Sequence, residues 1–387
     1  MSRRALDKEL FHASPRSAPL PRIERCAREL AKAARALIDA GHSQLADNTG
    51  VKHVKNFPVG DLLRRPESGA FLGLVFVLVF FVVFGSVEFL KPAGAASWLN
   101  VAANLGIVAI PVGLLMISGE LDISIGAMIP AGALTVAIIS GYYGLPIWLG
   151  VVGSLTLGLV VGLINGFLVI RTAVPSLIVT LGTLFAVQGL ILGCSVFLTG
   201  TTSVALSPAQ SGAVAKALFG QFIGGSFQVT IIWWMVLTVI YVFYVHYSPF
   251  GSWLFALGGD KVSARNAGIP TDKLTVTLFV LSSVSAAFLG MCQAILFNVA
   301  QVSAGMTFIF NSIIAVVVGG VLLTGGFGSV IGIFLGTITF AIVNQGIYFT
   351  SFDRNWSSLI IGVMLLLAVL MNNTFRIMAL TYSPKKK

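Results

Sequence analysis

Long apolar stretches dominate this chain, and they restrict its fold more than any other feature. From Ala70 onward about ten of them follow one another, each near the ~20 residues that a helix needs to cross a bilayer. Backbone polar groups must be paired inside the hydrocarbon, so such stretches form helices. The sequence therefore predicts an all-α, polytopic membrane protein with about ten transmembrane helices, at roughly 69–90, 98–117, 123–140, 146–170, 174–198, 228–247, 274–297, 307–324, 329–349 and 357–374.

The composition agrees with this class. Of 387 residues, 56% are hydrophobic and only 10% are charged, against about 25% charged in soluble proteins. The net charge of +10 is interpreted as a topology signal, and no nucleic-acid partner is expected. Three widely separated cysteines, Cys26, Cys194 and Cys292, favour neither a disulfide framework nor a metal site. No cofactor is expected.

Basic residues indicate the orientation in the bilayer. An even number of spans places both termini on one side. With the N-terminus inside, only three basic residues of the membrane domain fall outside, namely Lys91, Lys216 and Arg354. The inside then holds Arg171, Lys261, Arg265, Lys273, Arg376, Lys385, Lys386 and Lys387. The positive-inside rule therefore predicts cytoplasmic N- and C-termini.

Three regions follow from this pattern: a cytoplasmic N-terminal extension at 1–67, a transmembrane domain at 68–375, and a basic cytoplasmic tail at 376–387. The extension lacks the apolar core of a signal peptide. Its segment from Arg22 to Ala40 has the spacing of a basic amphipathic helix. Such a helix either lies on an anionic membrane surface or belongs to a solvated extension.

One polar loop, residues 249–274, separates two blocks of apolar sequence. Gly258, Gly259 and Gly268 are candidate turn residues. Between them, Asp260 to Ala267 has the pattern of about two helical turns with Asp260 as the N-cap. A short helix that presents small residues, Ser263, Ala264 and Ala267, is a shape that another protein can bind. The alternative is an ordinary connecting loop.

Polar residues within the apolar stretches are candidates for a solute path. Glu120 and Asp122 are carboxylates bracketed by apolar runs. They are either intramembrane and functional or solvated in a cytoplasmic turn. Uncharged polar residues either line a path for a hydroxyl-rich solute or join helices by hydrogen bonds. The candidate path residues are Asn104, Glu120, Asp122, Ser124, Asn311 and Asn344.

Two further features concern the organisation of the chain. The loop from Thr199 to Phe227 is rich in Ser, Thr, Gly and Gln; it is either a partner site or a flexible connector. The stretches I-S-G-E-L-D-I-S-I-G-A and L-T-G-G-F-G-S-V-I-G-I are similar interruptions in the two halves. They raise the possibility of two inverted five-helix halves, which are common among transporters.

Four stretches together resemble a known family. They are A-L-G-G-D-K-V-S-A-R-N-A-G-I at 256–269, G-E-L-D-I-S-I-G at 119–126, P-S-L-I-V-T-L-G-T at 175–183 and A-V-V-V-G-G-V-L-L-T-G-G-F-G-S at 315–329. In this order they resemble the membrane subunits of ribose-type ABC sugar importers. Three positions depart from the family pattern. Asp260 replaces the usual Asn, Ser263 the usual Ala, and Ile309 stands where sugar permeases often have Glu.

The resemblance implies a multi-pass permease of the bacterial inner membrane that translocates a small neutral sugar or polyol. A cytoplasmic ATPase would dock on the 249–274 loop, a periplasmic binding protein would deliver the solute, and a second permease copy or a related permease would pair with this one in the lipid bilayer. The implied ATPase-coupling residues are Gly258, Gly259, Asp260, Ala264, Arg265, Gly268 and Ile269. Nucleosides are the alternative substrate class.

Absent motifs separate the remaining function classes. The chain has no G-x-x-x-x-G-K-[ST], so any ATP hydrolysis is assigned to a partner. It has no H-E-x-x-H, and three of its four histidines fall in the N-terminal extension, so an intramembrane enzyme has no support. An ion-coupled secondary transporter would bury titratable residues along the later spans. Only Glu120 and Asp122 keep that alternative open.

Overall fold

The computed structural model describes residues 66–207, 212–351, 353–356, 359–367 and 369–370. These residues belong to one compact unit, Val59–Lys387. Two predicted segments lie outside the described residues: the helix from Arg22 to Ala40 and the basic tail at 376–387. The proposed region boundaries therefore stay predictions.

The described part is almost entirely helical, as predicted. Its α-helices are α1 Pro66–Phe84, α2 Pro92–Ile117, α3 Ile125–Val136, α4 Ile147–Arg171, α5 Ser176–Thr199, α6 Ala213–Phe219, α7 Thr230–Tyr247, α8 Pro249–Gly259, α9 Lys261–Asn266, α10 Thr271–Phe297, α11 Met306–Val318 and α12 Val330–Gly346. A π-helix, Ala137–Tyr142, continues α3, and 3₁₀ turns occupy Val87–Phe89, Ile347–Phe349 and Arg354–Trp356.

Four short strands complete the described elements: β1 Ser203–Ala205, β2 Phe222–Ile223, β3 Phe227–Gln228 and β4 Val299–Gln301. β1 pairs antiparallel with β4, with Val204 opposite Ala300. β2 and β3 form a small hairpin. The predicted loop from Thr199 to Phe227 therefore contains α6 and the first two strands, and it is tied to the end of α10 through β4.

Eight helices in the described residues are long and apolar enough to cross a membrane. They coincide with eight of the predicted spans. The predicted span at 307–324 is instead the 13-residue helix α11, because the chain leaves the helix at Gly319. The predicted span at 357–374 is described in part, with helical residues at 359–367.

Helices α2 and α10 lie at the centre of the bundle, and most of their residues are buried. α10 packs along α4, where Gly158, Gly162 and Gly166 repeat every four residues. A Cβ at each would come within 2.6–2.9 Å of a Cα atom of α10. Such a glycine stripe lets two membrane helices approach backbone to backbone, which strengthens dispersion contacts and replaces the hydrophobic driving force that lipid lacks.

The bundle has two distinct ends. We call the end that carries β1 and β4 the strand face, and the end where α2 finishes and where α8 and α9 lie the loop face. Residues 319–329, between α11 and α12, also turn at the loop face, since Gly326 N–H donates to Ile117 O over 2.8 Å. The possibility that the two halves of the chain are inverted five-helix repeats stays a prediction.

Candidate functional site

Residues 118–124 at the loop face are the point where the four family-like stretches meet. α2 ends at Ile117, and Gly119 follows with φ +84°. This left-handed conformation favours glycine, because a Cβ would clash with the backbone. The chain then runs without regular structure to Ile125, where α3 begins. We call residues 118–124 the linker.

Hydroxyl groups of α5 hold the backbone of the linker. Leu121 N–H donates to Ser176 Oγ over 3.1 Å, and Ile123 N–H donates to Thr180 Oγ1 over 3.3 Å. These hydroxyls belong to the P-S-L-I-V-T-L-G-T stretch. Two amides without helical partners are thereby paired, which avoids the cost of an unsatisfied buried donor.

Asp122 is buried, with 2% of its surface exposed. Its Oδ1 accepts hydrogen bonds from Ser124 N–H (2.9 Å) and Ser124 Oγ–H (2.6 Å). Asn165 Nδ2 on α4 donates to the same Ser124 Oγ over 3.0 Å, and Thr183 on α5 donates to Asn165 Oδ1 over 2.6 Å. A carboxylate just before a helix N-terminus is favoured by the helix dipole. Asp122 therefore fixes the start of α3 and connects it to α4 and α5.

The other side of Asp122 faces α10. Its Oδ2 and the Ser282 Oγ of α10 are both buried, and the Ser282 hydroxyl interacts with the carboxylate there. The two carboxylates considered from the sequence therefore differ in environment. Asp122 is a buried group, whereas Glu120 is partly exposed.

Glu120 links the linker to the 249–274 loop. Its Oε1 lies 3.1 Å from Lys261 Nζ, and the Glu120 side chain is 16% exposed. Since Lys261 opens α9, this ion pair attaches the short helix to the end of α2. It joins residues 141 positions apart in sequence.

Gly258 forms the closest contact at the loop face. A Cβ at this position would lie 1.8 Å from Ile117 O and 2.6 Å from Gly326 N. A Cβ on Gly325 would in turn lie 3.0 Å from the Gly119 backbone. Three glycine-containing stretches thus meet backbone to backbone, and no larger residue fits at Gly258 without movement.

The short helix predicted after Asp260 is confirmed as α9. Asp260 is its N-cap and accepts a hydrogen bond from Ser263 N–H over 2.6 Å. Hydrogen bonds from the Ser263 hydroxyl and N–H lower the pKa of Asp260 below its ordinary value of 3.8. Gly268 ends the motif with φ +84°, and Ile269 N–H donates to Ala264 O over 3.1 Å. The Arg265 guanidinium pairs with the Asp272 carboxylate.

The surface expected for this helix needs one correction. Ala264 was expected to be presented to a partner, but it is only 4% exposed and packs against the protein itself. Ser263 and Ala267 are exposed as expected. The largest apolar group on the exposed side is Val262, which is 67% exposed. The exposed side of α9 therefore consists of Val262, Ser263, Arg265 and Asn266.

The asparagines predicted to line a path lie on three different helices, and no hydrogen bond joins them. Asn104 of α2 donates from Nδ2 to Gln228 Oε1 over 2.9 Å. Asn344 of α12 accepts from Gln345 Nε2 over 2.8 Å. Asn311 of α11 is partly buried. Asn104 thus has a helix-packing contact towards the strand face, and the path itself stays a prediction.

Ile309, the position that departs from the family pattern, contacts the linker end of α3. It is buried, and a Cβ on Gly126 would lie 2.5 Å from its Cδ1. An apolar side chain therefore fills the space above the first turn of α3. A glutamate here would place a carboxylate beside that turn.

The residues of the site form a connected set. Gly258 and the Glu120–Lys261 pair join the 249–274 loop to the end of α2 and the linker, and Asp122 and Ser124 join the linker to α4 and α5. Within the described residues, no group of three or more His, Cys, Asp or Glu side chains is placed to bind a metal ion.

Contributors that were not selected from the sequence include Lys261, Val262, Ser176, Thr180 and Thr183. Lys261 and Val262 lie within the recognised loop, but their roles depend on which side of α9 faces inward. Thr183 lies in a recognised stretch. Hydroxyl residues recur there at 176, 180 and 183, and this spacing of four and three residues marks one face of a helix. It was the sequence signal from which Thr183 could have been selected.

A bundle of spanning-length helices with a short capped helix at its loop face is the fold of a polytopic membrane protein, and sequence similarity shows that its class is the permeases of ABC importers. The chain belongs to the family described as the permease component of the branched-chain amino acid transport system, which matches residues 94–369. This match covers most of the described bundle. It also contains all four family-like stretches.

Individual relatives agree with this membership. The chain is 28% identical to the fructose import permease FrcC of Rhizobium meliloti, covering 85% of this chain and 90% of that protein. It is 30% identical to the autoinducer 2 import permease LsrD of Klebsiella pneumoniae, covering 69% and 79%, and 29% identical to the ribose import permease RbsC of Escherichia coli K12, covering 69% and 81%. No solved structure matches the chain.

Proposed function

We propose that this chain translocates a small neutral sugar or polyol across the bacterial inner membrane. The relatives reported above import fructose, ribose and autoinducer 2 by name. The membrane-spanning part supplies uncharged polar groups, such as Asn311 and Asn344, that suit a hydroxyl-rich solute. No observation favours a nucleoside.

The observation that carries the proposal is the attachment of α9 to the bundle. A helix of six residues is too short to be stable alone. It is held by the Asp260 cap, the Gly258 contact and the Glu120–Lys261 pair, and it still exposes Val262. An exposed apolar residue on a rigidly held helix is what a partner needs in order to push or pull on the bundle.

The partner of α9 is a cytoplasmic ATPase subunit. A cytoplasmic loop face is supported by the positive-inside rule, since Arg171, Lys261, Arg265 and Lys273 all lie towards this face. The strand face, with α6 and the β1–β4 pair, then receives a periplasmic binding protein. A second permease copy or a related permease completes the transporter. The chain itself acts as a transport subunit and not as an enzyme.

Reconstitution tests this function. The permease, its ATPase and its binding protein are placed in proteoliposomes, and uptake of labelled ribose, fructose and xylose is measured with ATP or with a non-hydrolysable analogue. We expect uptake of at least one sugar that requires both ATP hydrolysis and the binding protein. Uptake driven by an ion gradient without the ATPase would overturn the proposal and restore the ion-coupled alternative.

A further inference from the structure

A groove on the outer side of the bundle lies beside the loop face, and it contains none of the side chains to which the site described above was assigned. It has a volume of about 520 Å³ and runs between α7, α8 and the first half of α10. Its lining comprises Leu237, Ile240, Tyr241, Tyr244, Phe250, Trp253, Pro270, Lys273, Leu274, Thr277 and Leu281. We call it the α7–α10 groove.

The lining changes in character along the groove. Leu281 and Leu237 form the part nearer the middle of the bundle, whereas Tyr244, Trp253 and Lys273 form the rim at the loop face. Lys273 and Leu281 are eight residues apart on α10, about 12 Å along the helix axis. One leaflet contributes roughly 15 Å of hydrocarbon. The groove therefore matches most of the depth of a single leaflet.

The rim of the groove carries one positive charge, the ammonium group of Lys273, and no carboxylate of the described residues is paired with it. Lys273 is exposed and, among the residues that the structure describes, is the only charged one in the lining. The nearby carboxylates have other partners: Asp272 pairs with Arg265, Glu120 pairs with Lys261, and Asp260 caps α9. A cation thus stands beside an apolar slot, next to the tyrosine and tryptophan that are typical of the membrane interface.

We propose that the α7–α10 groove binds an anionic phospholipid, with an acyl chain along Leu237 and Leu281 and the phosphate at Lys273. Basic pockets between membrane helices bind anionic head groups in this way. A second copy of this chain fits less well. A two-fold contact requires the same patch to be complementary to itself, and a concave groove does not fill an identical groove.

Quenching of tryptophan fluorescence tests the proposal. The full-length permease is placed in nanodiscs that contain phosphatidylcholine with increasing amounts of phosphatidylglycerol brominated on its acyl chains. Brominated phosphatidylcholine provides the neutral comparison. The contribution of Trp253 is obtained as the difference from Trp253→Phe, because the chain contains 6 tryptophans.

We expect Trp253 to be quenched at lower mole fractions of phosphatidylglycerol than of phosphatidylcholine. Lys273→Gln should reduce this preference about five-fold, the effect of one basic residue near an anionic surface, and Lys273→Arg should retain it. Arg171→Gln is the matched control, because Arg171 is also exposed at the loop face but lies outside the groove. Thr277→Phe, which fills the slot, should reduce quenching by both lipids.

Two results would overturn the proposal. One is an equal preference for phosphatidylglycerol in Lys273→Gln and in the unaltered chain. The other is a pair of results: a disulfide forms between two copies of the Trp253→Cys variant, and Trp253 of the unaltered chain is not quenched by either lipid. Together they would make the groove an interface between permeases. Neither result depends on the transported solute, so the lipid site and the proposed function fail separately.

Discussion

Replacing Gly258 by alanine should separate the short helix α9 from the end of α2. The new methyl group would lie 1.8 Å from Ile117 O and 2.6 Å from Gly326 N. Both neighbours are backbone atoms, so relief requires that whole segments move. The 2.8 Å hydrogen bond from Gly326 N–H to Ile117 O would be lost or stretched.

The magnitude follows from three contributions. Overpacking costs about 1–3 kcal/mol and the lost hydrogen bond about 0.5–1.5 kcal/mol, while the better helix propensity of alanine returns up to about 1 kcal/mol. We therefore expect Gly258→Ala to lower the free energy of unfolding by about 0.5–4.5 kcal/mol. ATP hydrolysis by the assembled transporter should continue while sugar uptake falls, because the link to α2 is loosened.

Gly259→Ala is the matched control. A Cβ at the neighbouring position meets no heavy atom within 4 Å, so this variant should be as stable as the unaltered chain or slightly more so. Thermal unfolding in detergent and uptake in proteoliposomes measure both variants. Equal melting temperatures and equal uptake for Gly258→Ala and Gly259→Ala would refute the argument from close contact.

Three further predictions test other parts of the account. Asp122→Ala should destabilise the protein by about 1–3 kcal/mol, because Ser124 N–H and Oγ–H lose their buried acceptor. Asp122→Asn keeps an Oδ1 acceptor and should destabilise the protein less. Equal thermal unfolding of the two variants would contradict the assigned hydrogen bonds. Reporters after Lys387 and near Arg265 should be cytoplasmic and one near Lys216 periplasmic; a periplasmic signal at Arg265 would exclude ATPase docking there. Deletion of residues 1–60 should leave uptake largely intact; its complete loss at normal membrane levels would show that the extension is functional.

Much of the fold could be predicted from the sequence because the bilayer imposes it. A stretch such as 146–170 has one stable conformation in hydrocarbon, and eight predicted spans have their helices at nearly the predicted positions. The predicted span at 307–324 was longer than the helix in the structure, because an apolar stretch of sequence does not show where a helix ends. The helix stops at Val318 because Gly319 packs against Gly332 of α12, Gly320 takes a left-handed φ of +91°, and Gly326 N–H then bonds to Ile117 O at the end of α2.

The candidate site was predictable in location and less so in detail. The cap by Asp260 is a local interaction within four residues, so its pattern is visible in the sequence. Which side of α9 faces inward depends on Gly258 and on the Glu120–Lys261 pair, and this pair joins distant residues. Ala264 was therefore expected on the exposed side, and Val262 was overlooked.

The central claim is that the exposed surface of α9 binds the ATPase, and Val262→Asp tests it most directly. Burial of a valine at an interface contributes about 1.5–3 kcal/mol, and its loss corresponds to a roughly ten- to hundred-fold weaker association. Val214→Asp is the matched control, since Val214 is 63% exposed on α6, another short helix, on the opposite side of the bundle. The measurement is the affinity of the purified ATPase for each permease in nanodiscs. The account predicts strong loss for Val262→Asp and unchanged affinity for Val214→Asp; full affinity of Val262→Asp for the ATPase would contradict it.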